Sequence, residues 1–272
     1  MRKLNLAVSS VFFVLSLLIL SSNDAFAHHT GDHAVTLHLN NRWKECAIVL
    51  DPSLTQNDFN AFADEVSELA YFKPITGAKT LGKNNFEIDL EQRYVKLEDW
   101  KPKWNNTFSH PMPDHYLVDD NHILGIPGLR AKMGVTDDTD AELYFTFSPG
   151  ANYGFAGAAV KHSLIDDANS NWNAAIRGNF LTMFGVEDMK FYQLGGDFIV
   201  SKDLWLFRPY LGASLALSRA TETTSKVDLS ARNSIAPMAI VGTEFNWSYL
   251  ATGVEASFGK LTIFQVKLGA RF

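Results

Sequence analysis

The chain closes on Phe264-Gln265-Val266-Lys267-Leu268-Gly269-Ala270-Arg271-Phe272. Phe264, Val266, Leu268, Ala270 and Phe272 fall on every second position, with Gln265, Lys267 and Arg271 between them. Successive side chains of a β-strand point to opposite faces, so this stretch is a strand with one apolar and one ionic side. In a soluble sandwich the apolar side would pack on a second sheet and the ionic side would face water. In a membrane barrel the apolar side meets lipid and the ionic side lines the lumen. The terminal aromatic favours the barrel, because alternating apolar residues leading to a final Phe resemble the signal by which outer-membrane barrels are recognised for insertion. Phe264, Val266, Leu268 and Phe272 are the predicted elements of that signal.

The same period runs back through most of the chain. In Asn85 to Glu98, Phe86, Ile88, Leu90 and Tyr94 oppose Glu87, Asp89, Glu91 and Arg93; in 204–218, Trp205, Phe207, Leu211, Ala213, Leu215 and Leu217 oppose Arg208, Tyr210, Ser214 and Ser218. Such segments exceed the roughly 5 to 6 residues usual in soluble sheets and reach the ~9 to 11 needed to cross a bilayer obliquely. Ten strands are predicted, over 84–97, 122–136, 141–148, 151–164, 171–184, 190–201, 204–218, 234–246, 249–258 and 261–272. The expected fold class is therefore all-β, a transmembrane antiparallel up-and-down barrel of about ten strands over 84–272. An even count puts both barrel ends in the periplasm, so the even-numbered connections, all short, are the inner ones. The two longest, 98–121 and 219–233, then face outward.

Ahead of the barrel the period changes. Within 53–72, Phe59, Phe62, Val66 and Leu69 step at three and four residues while Asp58, Asp64, Glu65 and Glu68 take the other face. This predicts an amphipathic helix over about 54–72, capped by Ser53 or Thr55 and ended by Pro74. Residues 28–83 are expected as a periplasmic segment whose helix docks on the barrel or at the inner membrane boundary, with insertion into the lumen as the rival placement. At the front, Arg2 and Lys3, the apolar run Val11 to Leu20 and Ala25-Phe26-Ala27 predict a secretory signal peptide over 1–27. The apolar run is short for a membrane anchor, and polar Ser21-Ser22-Asn23-Asp24 follows it at once.

Composition excludes other classes. With 24 Lys and Arg against 30 Asp and Glu in 272 residues, and no long block of one sign, nucleic-acid binding is disfavoured. The single cysteine, Cys46, can build neither an intrachain disulfide nor a multi-cysteine zinc site. No cofactor is expected. His28, His29, His33 and His38 cluster at the start of the mature chain. Clustered imidazoles bind zinc, copper or nickel weakly, but a polar terminus loses entropy to organise a site, so no metal is assigned.

Strand by strand, the ionic face places acidic Glu87, Asp89, Glu91, Glu142, Asp197, Glu244 and Glu255 in the lumen with basic Arg93, Arg130, Lys132, Arg177, Arg208, Lys267 and Arg271. Seven oppose seven. Selective pores carry a bias of one sign, whereas a balanced set pairs across the lumen. Ten strands enclose a lumen only somewhat wider than the eight-stranded kind that side chains fill. The expectation is a barrel of narrow lumen acting as a membrane scaffold or surface-loop binding protein, with a passive small-solute channel gated by the N-terminal helix as the alternative. Trp100 and Trp104, in the first outer loop, are candidates to hold a sugar or lipid headgroup, or else to pack over the barrel mouth. A surface lipid or peptide hydrolase is disfavoured: His162 and Ser163 are adjacent and point to opposite faces of a strand, and Asp114, His115 and His110 read as a solvated loop. The partners expected are outer-membrane lipid and, through the C-terminal strand, the barrel-assembly machinery.

Several short motifs carry a family likeness. The helix is followed by Ala70-Tyr71-Phe72-Lys73-Pro74-Ile75 and then by Phe86-Glu87-Ile88; further on stand Ile126-Pro127-Gly128-Leu129-Arg130-Ala131-Lys132, Pro209-Tyr210-Leu211-Gly212 and Lys267-Leu268-Gly269-Ala270-Arg271-Phe272. Over 55–272 the chain resembles an uncharacterised family of Gram-negative outer-membrane β-barrel proteins with an N-terminal helical extension. The resemblance implies that architecture and brings no catalytic residue.

Overall fold

A computed structural model of the chain describes residues 38–39, 47–110, 122–147, 150–167, 169–247 and 249–272. The predicted signal peptide, His28, His29, His33, Cys46, Asp114 and His115 lie outside the described residues.

The alternating segments become ten long strands: β3 (Phe86–Lys96), β5 (Ile123–Gly134), β6 (Thr139–Phe147), β7 (Gly154–Asp167), β8 (Trp172–Phe184), β9 (Met189–Lys202), β10 (Phe207–Glu222), β11 (Arg232–Trp247), β12 (Leu250–Phe258) and β13 (Thr262–Arg271). Each pairs antiparallel with its neighbour in this order, and β13 returns to β3, setting Arg271 opposite Glu87 and Ile263 opposite Val95. The Phe272 and Phe86 backbones complete the seam with two mutual hydrogen bonds of 2.8 and 3.0 Å. A closed ladder leaves no sheet edge, which is what hydrocarbon demands of backbone N–H and C=O groups. Outward positions form an apolar belt in which Ile88, Leu90, Leu143, Leu194, Leu211 and Phe264 are at least half exposed, while the residues between them are buried. The fold is a transmembrane antiparallel β-barrel. Strand ends depart from the sequence expectation mainly at one long connection. There β10 continues to Glu222, paired with Met189, and β11 begins at Arg232, so that connection shrinks to 223–231.

Helix α1 (Gln56–Ala70) starts at Thr55, whose hydroxyl accepts from the Asp58 amide at 3.2 Å. It buries Phe59, Phe62, Ala63, Val66 and Leu69. The first long connection contributes α2 (Pro102–Asn105) and β4 (Phe108–His110), and β4 pairs with β1 (His38–Leu39) and β2 (Ala47–Ile48) in a small second sheet. Phe62 meets the Trp104 ring edge-on at 4.9 Å and the Phe108 ring at 6.3 Å. These pieces form one apolar cap over a barrel mouth.

The mouth is not the expected one. Asp64 pairs with Arg232 and Lys260, and Glu68 accepts from the Lys260 and Leu261 amides at 2.9 and 2.8 Å. Those partners stand at the start of β11 and in the β12–β13 connection, at the end of the barrel opposite Phe86 and Phe272. The helix therefore docks on the barrel, but at the far mouth, so that residues 47–70 lie there rather than at the near end expected for them. The physical reason is the set of partners at that mouth: the β12–β13 turn offers two amides and a lysine, and Arg232 at the start of β11 a guanidinium, to the acidic face of α1. From Tyr71 the chain runs through the lumen to Leu81 without regular structure, with Ile75 at positive φ (42°), turns at Gly82 (φ 81°) and Asn84 (φ 64°), and enters β3.

Candidate functional site

The strap Tyr71 to Leu81 has the sequence Tyr-Phe-Lys-Pro-Ile-Thr-Gly-Ala-Lys-Thr-Leu, with no period to make a helix or a paired strand. Its buried amides and carbonyls must find partners elsewhere. The wall supplies them in sequence down the lumen. Arg177 donates to the Phe72 carbonyl at 2.8 Å, and Arg130 to the Lys73 and Pro74 carbonyls at 2.6 Å each. Glu255 accepts from the Ile75 amide at 2.9 Å, while Glu244 accepts from the Thr76 hydroxyl and the Gly77 amide at 2.9 and 2.8 Å. Near the other end Ser201 accepts from the Ala78 amide, Lys161 donates to the Lys79 carbonyl at 2.8 Å, and Asp140 accepts from the Leu81 amide at 3.0 Å.

Side chains of the strap are held as well. The Tyr71 hydroxyl donates to Asp197 at 2.8 Å. The Phe72 ring stacks on Tyr144 at 4.7 Å and lies 4.5 Å from the Arg130 guanidinium and 4.3 Å from that of Arg177. Guanidinium groups over an aromatic ring gain from its quadrupole, most of all where water is excluded. Lys73 turns back to donate to the Glu68 carbonyl at 2.8 Å.

The fourteen charges assigned to the lumen all lie on the inward side; twelve are buried, and Arg208 and Arg271 are partly exposed at the near mouth. Arg177 bridges Glu142 (3.0 Å) and Asp197 (2.8 Å), and Arg130 pairs with Glu91 and Glu142. Lys267 spans Glu87 (3.0 Å) and Glu244 (3.1 Å), Lys132 reaches Glu87 and Asp89, Arg271 pairs with Glu87, and Arg208 with Glu244. Arg93 donates to the Leu69 carbonyl, and the Tyr210 hydroxyl to Glu255 at 2.9 Å. Burying ions is costly unless each is paired; here the wall partners and the strap's backbone satisfy many of the buried groups, while Arg93 Nε, Glu142 Oε1 and Glu255 Oε1 have no hydrogen-bond partner among the described residues. The sequence reading missed Asp140, Lys161 and Ser201, although Asp140 stands two residues before Glu142 and so shares its face. At the near mouth these groups leave a cavity of 160 Å³, lined by Lys79, Lys132, Asp140, Lys161, Arg208 and Arg271 among others.

In the cap, burial works to raise the Asp64 carboxyl, but Arg232, Lys260 and the Ser234 hydroxyl outweigh it and hold the group at about 2. Burial works to lower Lys103, yet Glu65 and Glu98 leave it raised. Of the alternatives held open for Trp104, the structure shows packing over the barrel mouth rather than a binding surface. Its ring is buried against Phe62 and its indole N–H donates to Glu65, because α1 occupies the face a sugar or headgroup would need. Trp100 keeps an exposed face and meets the His122 ring edge-on at 4.8 Å. Of the C-terminal signal, Phe264, Val266 and Phe272 face outward and Leu268 is half-buried on the same side. His162 is bonded to Thr139 at 3.0 Å, and the Ser163 hydroxyl turns to the Ile165 carbonyl, so the two do not meet. His38 lies in β1.

No family model and no curated protein matches the chain. Among solved structures it is similar to a bacterial polysaccharide outer-membrane secretin (8% identity, 54% of this chain and 56% of that one, TM-score 0.33), so it spans little more than half the length of that protein. It is also similar to the N-terminal β-barrel domain of Pseudomonas aeruginosa OprF (14%, 70% and 99%, TM-score 0.30) and to an outer-membrane channel from Pseudomonas putida F1 (8%, 74% and 100%, TM-score 0.44). At such scores the fold assignment stands on the chain's own hydrogen-bond ladder.

Proposed function

We propose that the protein is an outer-membrane barrel stoppered by its own N-terminal segment, a membrane scaffold that holds the α1 cap at the outer face after export through a cleaved signal peptide. One observation carries this reading: the strap Tyr71 to Leu81 runs the length of the lumen and is bonded to the wall from Arg177 to Asp140. The side is assigned by parity, since the chain ends of an even-stranded barrel lie inward and its longer connections outward. No catalytic role is assigned to any residue, and the partners are lipid around the belt and the assembly machinery at the C-terminal strand.

Planar-bilayer recording of refolded full-length protein tests the reading. Near-zero conductance is expected, and large stable conductance overturns it. A gated small-solute channel is the second reading, favoured by one feature: the strap is held by side-chain hydrogen bonds and by no sheet pairing, so its release would leave the wall intact.

A further inference from the structure

Across β8, β9, β10 and β11 the outward residues fall into tiers set by the strand register. The outermost is Thr182, Tyr192, Arg219 and Asn233; the next is Phe180, Leu194, Leu217 and Ile235; the third is Gly178, Gly196, Leu215 and Pro237. A groove of 430 Å³ opens over the first two tiers, within the size range of ligand-binding clefts. Lys190, paired with Thr221, stands one step farther out than Tyr192. Lys190 and Arg219 are exposed, and neither has an ion-pair partner among the described residues.

The glycines make this face unlike the rest of the belt. Gly178 and Gly196 are register partners on neighbouring strands. A Cβ at Gly178 would meet nothing within 4 Å, and one at Gly196 would find its nearest atom, the Arg177 carbonyl oxygen, at 3.9 Å. Neither has a backbone conformation that requires glycine. Glycine inside a strand weakens it and often marks the close approach of something from outside. Among the described residues, none fills this space.

We infer that this face is a binding site for one molecule of a phosphorylated, acylated glycolipid of the outer leaflet. An acyl chain lies in the groove over Leu194 and Leu217 and continues across the two glycines. Arg219 and Lys190 take the phosphate, for which Arg offers a forked pair of donors, and Tyr192 and Asn233 supply hydrogen bonds to the sugar. The order of the tiers, cationic and polar toward the far mouth and apolar below it, matches the order of headgroup and chain in that leaflet. A second copy of this chain fits less well, because a two-fold contact would bring two more cations to the same rim. The inference rests on the inside–outside assignment made above, but not on whether the lumen is closed.

The test reconstitutes full-length protein with lipopolysaccharide and counts retained lipid by native mass spectrometry. Arg219→Glu with Lys190→Glu is expected to lower retention roughly tenfold, as the loss of charge-assisted contacts implies. Gly178→Leu with Gly196→Leu should lower it by filling the groove floor, and Lys96→Glu, an exposed basic residue toward the same end of β3, should leave it unchanged. Retention of the folded, heat-modifiable gel band checks each variant; if the glycine pair fails to fold, the charge pair decides. Equal retention by wild type and the charge pair overturns the site. Equal competition by phosphatidylglycerol overturns its assignment to a glycolipid, and a dimer that the glycine pair abolishes assigns the face to a second copy instead. The conductance measurement bears on the stoppered lumen separately, so failure of one is distinguishable from failure of the other.

Discussion

The Arg177 guanidinium lies 4.3 Å from the centroid of the Phe72 ring and donates to the Phe72 carbonyl at 2.8 Å. One wall residue thus grips one strap residue by both ring and backbone, while Glu142 and Asp197 neutralise it. Arg177→Ala removes all four contacts and leaves two buried carboxylates each short of a partner, a loss on the order of 3–5 kcal/mol. The expected outcome is a lower temperature for the gel-mobility transition and a rise from near-zero conductance. Unchanged values for both would mean that the strap is held elsewhere.

Ser53 and Lys83 are both exposed, yet the strap between them carries the chain from one mouth to the other. A membrane-impermeant maleimide applied to intact cells is expected to label Ser53→Cys, and to label Lys83→Cys only after the outer membrane is opened. Labelling in the reverse pattern would invert the orientation.

Acid should loosen the cap. Asp64 has an ordinary value of 3.8 and is held at about 2 in the folded cap. Its contribution is complete above about pH 4 and is lost as the pH falls through about 2, because protonation then favours the undocked state. Pepsin cleavage within 47–70 should increase across that interval while the β-type dichroism persists. Asp64→Asn should show the looser cap already at neutral pH and flatten the acid response.

Gly134 is packed against the turn by which the strap leaves the lumen. A Cβ there would sit 1.8 Å from the Gly82 carbonyl oxygen, a backbone atom that cannot swing aside. Gly134→Ala is expected to cost about 1–3 kcal/mol and to reduce refolding yield, whereas alanine at Gly178 should leave the yield unchanged.

Deleting Phe272 removes the outward aromatic of the C-terminal signal and both backbone hydrogen bonds to Phe86. Membrane insertion in cells should fall sharply, and much more than on deleting residues 28–38. Equal effects of the two deletions would argue against the C-terminal strand as the recognised element.

The barrel was legible because its signal is local. Alternation of the kind seen at Phe86 to Arg93 reports which residues face lipid whatever lies across the lumen, so the inward charges could be named from sequence. The partners of those charges could not. Arg177 and Phe72 are 105 positions apart, and Ile75 and Glu255 are 180 apart. The strap has no periodicity, and nothing in the amphipathic pattern of α1 indicates which mouth it covers. The choice between binding and packing for Trp104 could not be made from sequence, because the ring that covers it, Phe62, and the carboxylate that holds its indole, Glu65, are distant in the chain, the latter 39 positions away. Asp140 and Lys161 are hidden from a local pattern because Asp140 stands beside the β5–β6 turn, where alternation breaks off, and Lys161 comes opposite it only when β6 and β7 pair.

The seam between β13 and β3 joins the last barrel strand to the first, and the strap is continuous with β3. The cap at its other end is too bulky to pass a lumen already occupied by ion pairs, so residues 47–70 have to reach the far side while the seam is still open. Folding then resembles setting a rivet: the head forms beyond the hole, and the hole tightens around the shank. A chain whose seam closes too early would carry the same wall with its leading end stranded on the wrong side, and recovery would require the wall to unzip. Refolding should therefore yield two long-lived products in proportions fixed by the race between threading and closure, rather than by their relative stabilities.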